Sequence, residues 1–183
     1  AQNALVFVAC VSTPNAPTTT DVTYCQGQTA LALTATGDTG STLNWYTEAT
    51  GGTSTTTAPT PSTATAGTFT YYVSQTVSGV ESARTALVVT INAAPAQPGT
   101  ISGSNSILPS SSQDYSITSV SGASSYTWTL PNGWSGTSTT NSITATTGTT
   151  AGTISVVAIS SAGCVSPAQS LVVCINMRLD TDG

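Results

Sequence analysis

Sixty-four of the 183 residues carry an aliphatic hydroxyl, 38 Thr and 26 Ser, so nucleophiles abound by type. A hydroxyl needs a neighbouring base to attack, and the chain has no His and no Lys. The interior carboxylates are Asp21, Asp38, Glu48, Glu81 and Asp114. A pair of them about 5–9.5 Å apart could hydrolyse a glycoside. Most fall in segments that read as loops, where each is expected to be a solvated charge, so no catalytic residue is assigned. No Gly-rich loop follows a strand and opens a helix, which leaves nucleotide binding without support.

The cysteines are Cys10, Cys25, Cys164 and Cys174. None forms a C-x-x-C pair and no His accompanies them, which argues against zinc. An even count in a secreted-looking chain suggests bridges, with three connectivities open. Near the C-terminus Asp180 and Asp182 alternate and Gly183 follows, as calcium loops begin. Two carboxylates are too few for a hard cation. No metal is expected within the chain, and calcium only in sequence beyond Gly183; no other cofactor is implied.

Charge excludes further partners. Arg84 and Arg178 are the only cations and the net charge is −5. Neutralising nucleic-acid phosphates takes several basic side chains, so nucleic acid is not expected. An anionic membrane surface is disfavoured for the same reason. No apolar run approaches the roughly 18 residues of a membrane span, so no insertion is expected. The longest run, Ala4–Val11, ends in Val8-Ala9-Cys10 like a lipoprotein signal, but it lacks an initiating Met and a basic n-region.

Hydrophobic content of 38% and mean hydropathy of +0.14 exceed those of disordered chains. Thr, Val, Ile and Tyr favour the pleated sheet, because branched and aromatic side chains pack well there. One pattern recurs three times: Ala1-Gln2-Asn3-Ala4-Leu5-Val6-Phe7-Val8, Ala83-Arg84-Thr85-Ala86-Leu87-Val88-Val89 and Ala168-Gln169-Ser170-Leu171-Val172-Val173. The matched leucines stand 82 and 84 residues apart. Each copy is a short branched apolar run bounded by polar residues, as a buried strand is. Pro-containing linkers follow the first two copies, Thr13-Pro14-Asn15-Ala16-Pro17 and Ala93-Ala94-Pro95-Ala96-Gln97-Pro98, so each copy reads as the closing strand of a module.

The expected fold is all-β, with two tandem β-sandwich modules preceded by the closing strand of a previous one. Residues 1–14 are that strand and a linker, 15–94 the first sandwich, 95–178 the second, and 179–183 the start of an acidic linker. The chain then reads as a piece of a longer tandem array. In the first module Leu31, Leu33 and Ala35, then Leu43 and Trp45, then Phe69, Tyr71 and Val73, and finally Leu87, Val89 and Ile91 alternate with polar neighbours. Roughly seven short strands in about 80 residues fit a sandwich. Trp45 is expected between its sheets, with Tyr71 or Tyr72 near the opposite strand. In the second module Tyr115, Ile117, Trp128, Leu130, Ile143 and Ile154 show the same period.

The ordered motifs Tyr24-Cys25-Gln26-Gly27, Asn44-Trp45-Tyr46-Thr47, Thr50-Gly51-Gly52-Thr53, Ala58-Pro59-Thr60-Pro61-Ser62, Thr70-Tyr71-Tyr72-Val73-Ser74-Gln75 and Gly79-Val80-Glu81-Ser82-Ala83-Arg84 resemble the Ig-like repeats of secreted Bacteroidetes surface proteins. The run Gly122-Ala123-Ser124-Ser125-Tyr126-Thr127-Trp128-Thr129-Leu130-Pro131-Asn132-Gly133-Trp134 resembles the PKD-like domain found beside them. That resemblance implies a core-strand position for Trp128 and places Trp134 after its turn; core or edge packing is expected for Trp134, ahead of a sugar-stacking platform. The chain departs from the pattern twice, at Val80 and near Leu108, where cysteines are usual. The usual bridge from Cys25 therefore cannot form, and local pairing is expected instead: Cys10–Cys25 and Cys164–Cys174, with free, buried thiols an equal reading for the second pair.

The resemblance implies a non-catalytic stalk or adhesion module of a large bacterial surface protein, delivered by the type IX secretion route, as in gliding-motility adhesins. Expected partners are neighbouring modules of the same chain, and surface glycans or the secretion and motility machinery. With two basic residues, trypsin-like proteases have two sites. The alternative is a glycan-binding or spacer module of a secreted polysaccharide-degrading enzyme or protease, with Trp134 and Tyr46 exposed as sugar platforms. A third reading has residues 1–12 adding as a strand to a neighbouring chain.

Overall fold

A computed structural model describes residues 12–176. The strand segment 1–8, Cys10, Asp180 and Asp182 lie outside the described residues. The described residues form strands, turns and loops with no helix, and the chain divides into two compact units between Asn92 and Ala93.

The first unit holds seven strands: β1 (Thr18–Thr19), β2 (Val22–Cys25), β3 (Ala35–Thr36), β4 (Thr42–Tyr46), β5 (Gly67–Val77), β6 (Val80–Glu81) and β7 (Thr85–Asn92). Strands β2, β7, β5 and β4 lie side by side in that order, β6 pairs with β5, and β1 and β3 form a separate ladder. β2 runs parallel to β7, which requires the long connection through the other strands. β5 and β7 pair antiparallel from Gly67 opposite Ile91 to Val73 opposite Thr85. Period two then places Val73, Leu87, Val89 and Ile91 on one face, where they pack with Trp45 and Leu33.

The second unit holds β8 (Ser106–Ile107), β9 (Ser112–Ser116), β10 (Ser125–Thr129), β11 (Ser142–Thr146), β12 (Gly152–Ile159) and β13 (Gln169–Ile175). One sheet runs β10, β12, β13, β8 and the other pairs β9 with β11. Tyr115, Ile143 and Ala145 of the small sheet meet Ile154, Val156, Ala158 and Val173 of the large one in a single core.

Two expectations about strands are corrected. Leu31 is 73% exposed, and the strand near it shrinks to Ala35–Thr36. The Leu31 N–H donates to Tyr24 Oη, outside any ladder, while the Leu33 N–H donates to Pro59 O and turns Leu33 inward. Phe69 lies on the apolar face of β5 yet is 40% exposed, because β5 runs eleven residues, past the strands that cover it.

The repeat has a second conserved element. Ser82 and Ser166 precede the matched strands by the same spacing, and both are buried. Ser82 Oγ accepts from the Gln75 N–H at 3.1 Å and donates to Ala83 O at 2.8 Å. Ser166 Oγ accepts from the Ala158 N–H and donates to Pro167 O, each at 2.9 Å. Each hydroxyl fills a gap in a ladder that a backbone carbonyl leaves. Ser82→Ala and Ser166→Ala each strand a buried N–H, at an expected cost of about 1–3 kcal/mol in urea unfolding of the affected unit. A change within about 0.3 kcal/mol would show that water replaces the hydroxyl.

Candidate functional site

The densest polar cluster lies on the outer face of the first unit's large sheet. Tyr46 ends β4 opposite Tyr72, and its side chain points away from the Trp45 face. Tyr46 Oη donates to Glu81 Oε1 at 2.5 Å, and Ser74 Oγ donates to the same oxygen. The Arg84 guanidinium lies over the Tyr46 ring, 3.2 Å from its centroid. Its nitrogens donate to Glu48 O at 2.6 Å and Gly51 O at 2.8 Å. Gly51 and Gly52 sit at φ of 67° and 71°, the left-handed region that lets the loop turn back under Arg84. The cluster therefore pins the Glu48–Gly52 loop to the sheet by cation–π contact and backbone hydrogen bonds.

Its chemistry is structural. The hydrogen bonds from Ser74 and Tyr46, in that order, stabilise the Glu81 carboxylate; burial opposes them and Arg84 adds a smaller attraction. The net effect holds the carboxyl below its ordinary value of 4.5. A depressed acid stabilises the fold above its unfolded pKa, and that contribution disappears as pH falls through the folded value. The melting temperature of the first unit should therefore drop on acidification from about pH 5 towards pH 3. Glu81→Gln should lower it at pH 7 and flatten that slope. An unchanged slope in Glu81→Gln would remove Glu81 from the acid response.

The interior acids expected as solvated charges are mostly hydrogen-bonded. Asp21 Oδ1 accepts from the Val88 N–H at 2.8 Å, and Asp114 Oδ1 accepts from Thr144 Oγ1 at 2.6 Å. Asp38 Oδ2 accepts from Gln75 Nε2 at 3.0 Å, and the buried Gln75 amide also accepts from the Asp38 N–H and donates to Asn15 O. In a chain this poor in charge, carboxylates serve as strong acceptors for donors that strand ends leave over. An open hollow of about 540 Å³ beside β9 and β11 is lined by Asp114, Ser116, Ser138, Ser142 and Thr144 among others. It offers hydroxyls and a carboxylate. Among the described residues no three of His, Cys, Asp and Glu gather as metal ligands.

The two sugar platforms of the alternative reading are covered, and Trp134 lies in the core packing preferred for it. Tyr46 is only 8% exposed, because Arg84 covers its face, and its hydroxyl is engaged by Glu81. Trp134 is 9% exposed. Its ring lies 6.5 Å from that of Tyr115 at a tilt of 35°, and Nε1 donates to Thr150 O at 3.0 Å. Tyr115 is fully buried, which pushes its phenol up, and it donates to Ser104 O. Neither Tyr46 nor Trp134 presents a free ring face.

Trp45 is 2% exposed in the first core, with Tyr71 partly buried against it. Trp128 packs against the second core, and its Nε1 donates to Thr140 O at 2.9 Å.

The cysteines also depart from expectation. Cys174 carries a free, exposed thiol, so the Cys164–Cys174 bridge does not form. Cys164 sits beside Ser160 past the end of β12, whereas Cys174 follows Val173, which pairs with Gly152 at its start. Seven residues of strand separate those ends, about 23 Å at roughly 3.3 Å each, against less than about 7 Å between bridged Cα atoms. Cys25 and Cys164 are both disulfide-bonded. The Cys10–Cys25 expectation involves a residue outside those described.

The model of an Ig-like domain described as CHU_C associated matches residues 14–93. The model of a PKD-like domain matches residues 94–173. No curated protein matches the chain. Among solved structures, the fibronectin(III)-like modules of Clostridium thermocellum CbhA are similar at 17% identity over 86% of this chain and 90% of that one, with a TM-score of 0.49. The FN1–FN3 domains of chicken CNTN1 are similar at 13% identity over 91% of this chain and 68% of that one, with a TM-score of 0.47. The two abutting family matches coincide with the two cores, and the chain is a tandem of an Ig-like and a PKD-like β-sandwich module.

Proposed function

We propose that these modules are a non-catalytic spacer in an extracellular surface protein of the gliding-adhesin kind, carried out by type IX secretion. The observation that carries the spacer reading is the pair of separate cores, each within its own family match. Neither core needs residues of the other. Bonded cysteines fit an oxidising compartment, and Ig-like and PKD-like modules are typical of extracellular proteins. No helix among the described residues is long and apolar enough to cross a membrane. The clamp of Arg84 over Tyr46 adds protection, because it engages the one basic side chain among the described residues.

A spacer must bear load. Stretching a single chain by its ends should give two unfolding events, one per module. Extension at low force with no such event would sink the spacer reading. The glycan-binding alternative loses the two aromatic residues assigned to it, since both are buried.

A further inference from the structure

Residues 47–66, twenty in all, join β4 to β5 with no strand between them. Connections longer than about 12–15 residues are uncommon in compact domains, and an ordered one usually carries function. Its start is held by Arg84 on Glu48 O and Gly51 O. The stretch 53–65 has a composition of its own: nine of its thirteen residues are Ser or Thr, the other four are Ala or Pro, and none is charged.

The backbone of this stretch is pinned at intervals. Thr55 exchanges both backbone hydrogen bonds with Trp45, at 2.8 and 3.0 Å. Pro59 O accepts from the Leu33 N–H and Thr63 O from the Gly27 N–H, each at 2.9 Å. Ala64 O accepts from Gln26 Nε2 at 2.8 Å. Pro59 and Pro61 bias the residues before them, Ala58 and Thr60, to extended backbone, and Pro61 is buried. The chain is thus laid out extended over the module, outside the sheet ladders except at Thr55.

Its side chains face the solvent. Ser54, Thr56, Thr57 and Thr60 are exposed, and among the described residues their hydroxyls have no hydrogen-bond partner. The second module offers an internal contrast. Its connection from β10 to β11 is also rich in hydroxyls but ties them to itself, with Ser138 Oγ and Thr140 Oγ1 both donating to Ser142 O, at 2.5 and 3.1 Å. Exposed threonines such as Thr23 and Thr68 stand on paired strands, whose backbone cannot leave the sheet to enter an enzyme's cleft.

We propose that the 53–65 stretch is an O-glycosylation site, with Ser54, Thr56, Thr57 and Thr60 as acceptors. Exposed, Pro-spaced runs of Ser and Thr have the composition of glycosylated stalks. The donor is an activated glycosyl phosphate, brought by a transferase. The side-chain oxygen bonds to the anomeric carbon, the bond from that carbon to the phosphate oxygen breaks, the phosphate leaves with the electron pair, and the hydroxyl proton passes to a base of the transferase. A phosphoryl group at the same hydroxyls would find no basic partner, because Arg84 is committed to Tyr46 and two carbonyls. The sugar has a use in a spacer. A long exposed loop is where proteases nick a domain, and glycans on these four residues cover it. That use rests on the extracellular spacer reading.

The test takes the full chain as secreted by the organism that makes it. Denatured and cut by trypsin after Arg84 and Arg178, it yields fragments 1–84 and 85–178. Mass spectrometry should find sugar on 1–84, and electron-transfer fragmentation should place it within 53–65. Changing Ser54, Thr56, Thr57 and Thr60 together to Ala should remove that mass while the chain melts as before. The folded variant should be nicked within 53–65 by elastase at least about tenfold faster than the sugar-bearing chain. The mapping on the unaltered chain decides the matter even where the variant unfolds. A secreted chain whose 1–84 fragment has the mass of polypeptide alone, carries phosphate, or bears sugar only outside 53–65 overturns the proposal and leaves the spacer reading standing. A chain retained in the cytoplasm overturns both.

Discussion

Trp45→Ala is expected to cost the first module about 3–5 kcal/mol, a large share of the roughly 5–15 kcal/mol that stabilises a whole domain. The reason is the size of the core. The fully covered apolar set is Leu33, Trp45, Val73, Leu87, Val89 and Ile91, and Trp45 is its largest member. The ring sits at 2% exposure on the strand that faces Val73 across the sheet. The small ladder of β1 and β3 cannot close over a vacancy, because only two residues of each are paired. A cavity of indole size then persists and adds its own penalty to the lost transfer energy. Trp45→Phe should keep more of the stability, since it restores part of the volume. Urea unfolding followed by circular dichroism resolves the outcome: an early transition from the first module, with the second unmoved. A loss below about 1 kcal/mol would mean that Trp45 does not organise this core.

Trp134→Ala should cost the second module a similar amount, about 3–5 kcal/mol. Three contacts go at once: the tilted packing on Tyr115, the hydrogen bond to Thr150 O, and the wall against which Gly148 fits, where a Cβ would lie 3.1 Å from the indole Cδ1. The turn from Pro131 to Trp134 is closed by the Trp134 N–H on Pro131 O, so its anchor in the core is lost with the ring. The first module should unfold as before, because changes far apart add independently. Trp134→Phe tests the hydrogen bond apart from the volume and should fall between. Should Trp134→Ala unfold like the wild type while abolishing retention on a glycan surface, the ring would be a binding platform rather than a core residue.

The two tryptophans show what a sequence can carry. Trp45 sits in strict alternation with Leu43 and the polar Asn44, and a period of two assigns a face without any knowledge of partners. Trp134 follows a Pro-Asn-Gly turn, where no period applies, and core packing is favoured over a sugar platform only by the general habit of the residue type. Its burial came from long-range contacts with Tyr115 and Thr150, which local pattern does not encode. Glu81 and Arg84 were legible as parts of an ordered motif. Their partners were not: Tyr46 and Glu48 lie more than 30 residues away in the chain and meet them only across the sheet.

The sequence by itself determined the β class, the position of the closing strands β7 and β13 and the absence of His and Lys, because these follow from composition, a period of two and a repeat near 83 residues. Tertiary structure decided which rings are covered, that Cys174 stays a thiol, and that Pro131 fills the space above Gly152. The physical reason is reach. Alternation fixes which face a side chain takes, whereas coverage depends on where a strand stops and which distant loop folds over its end.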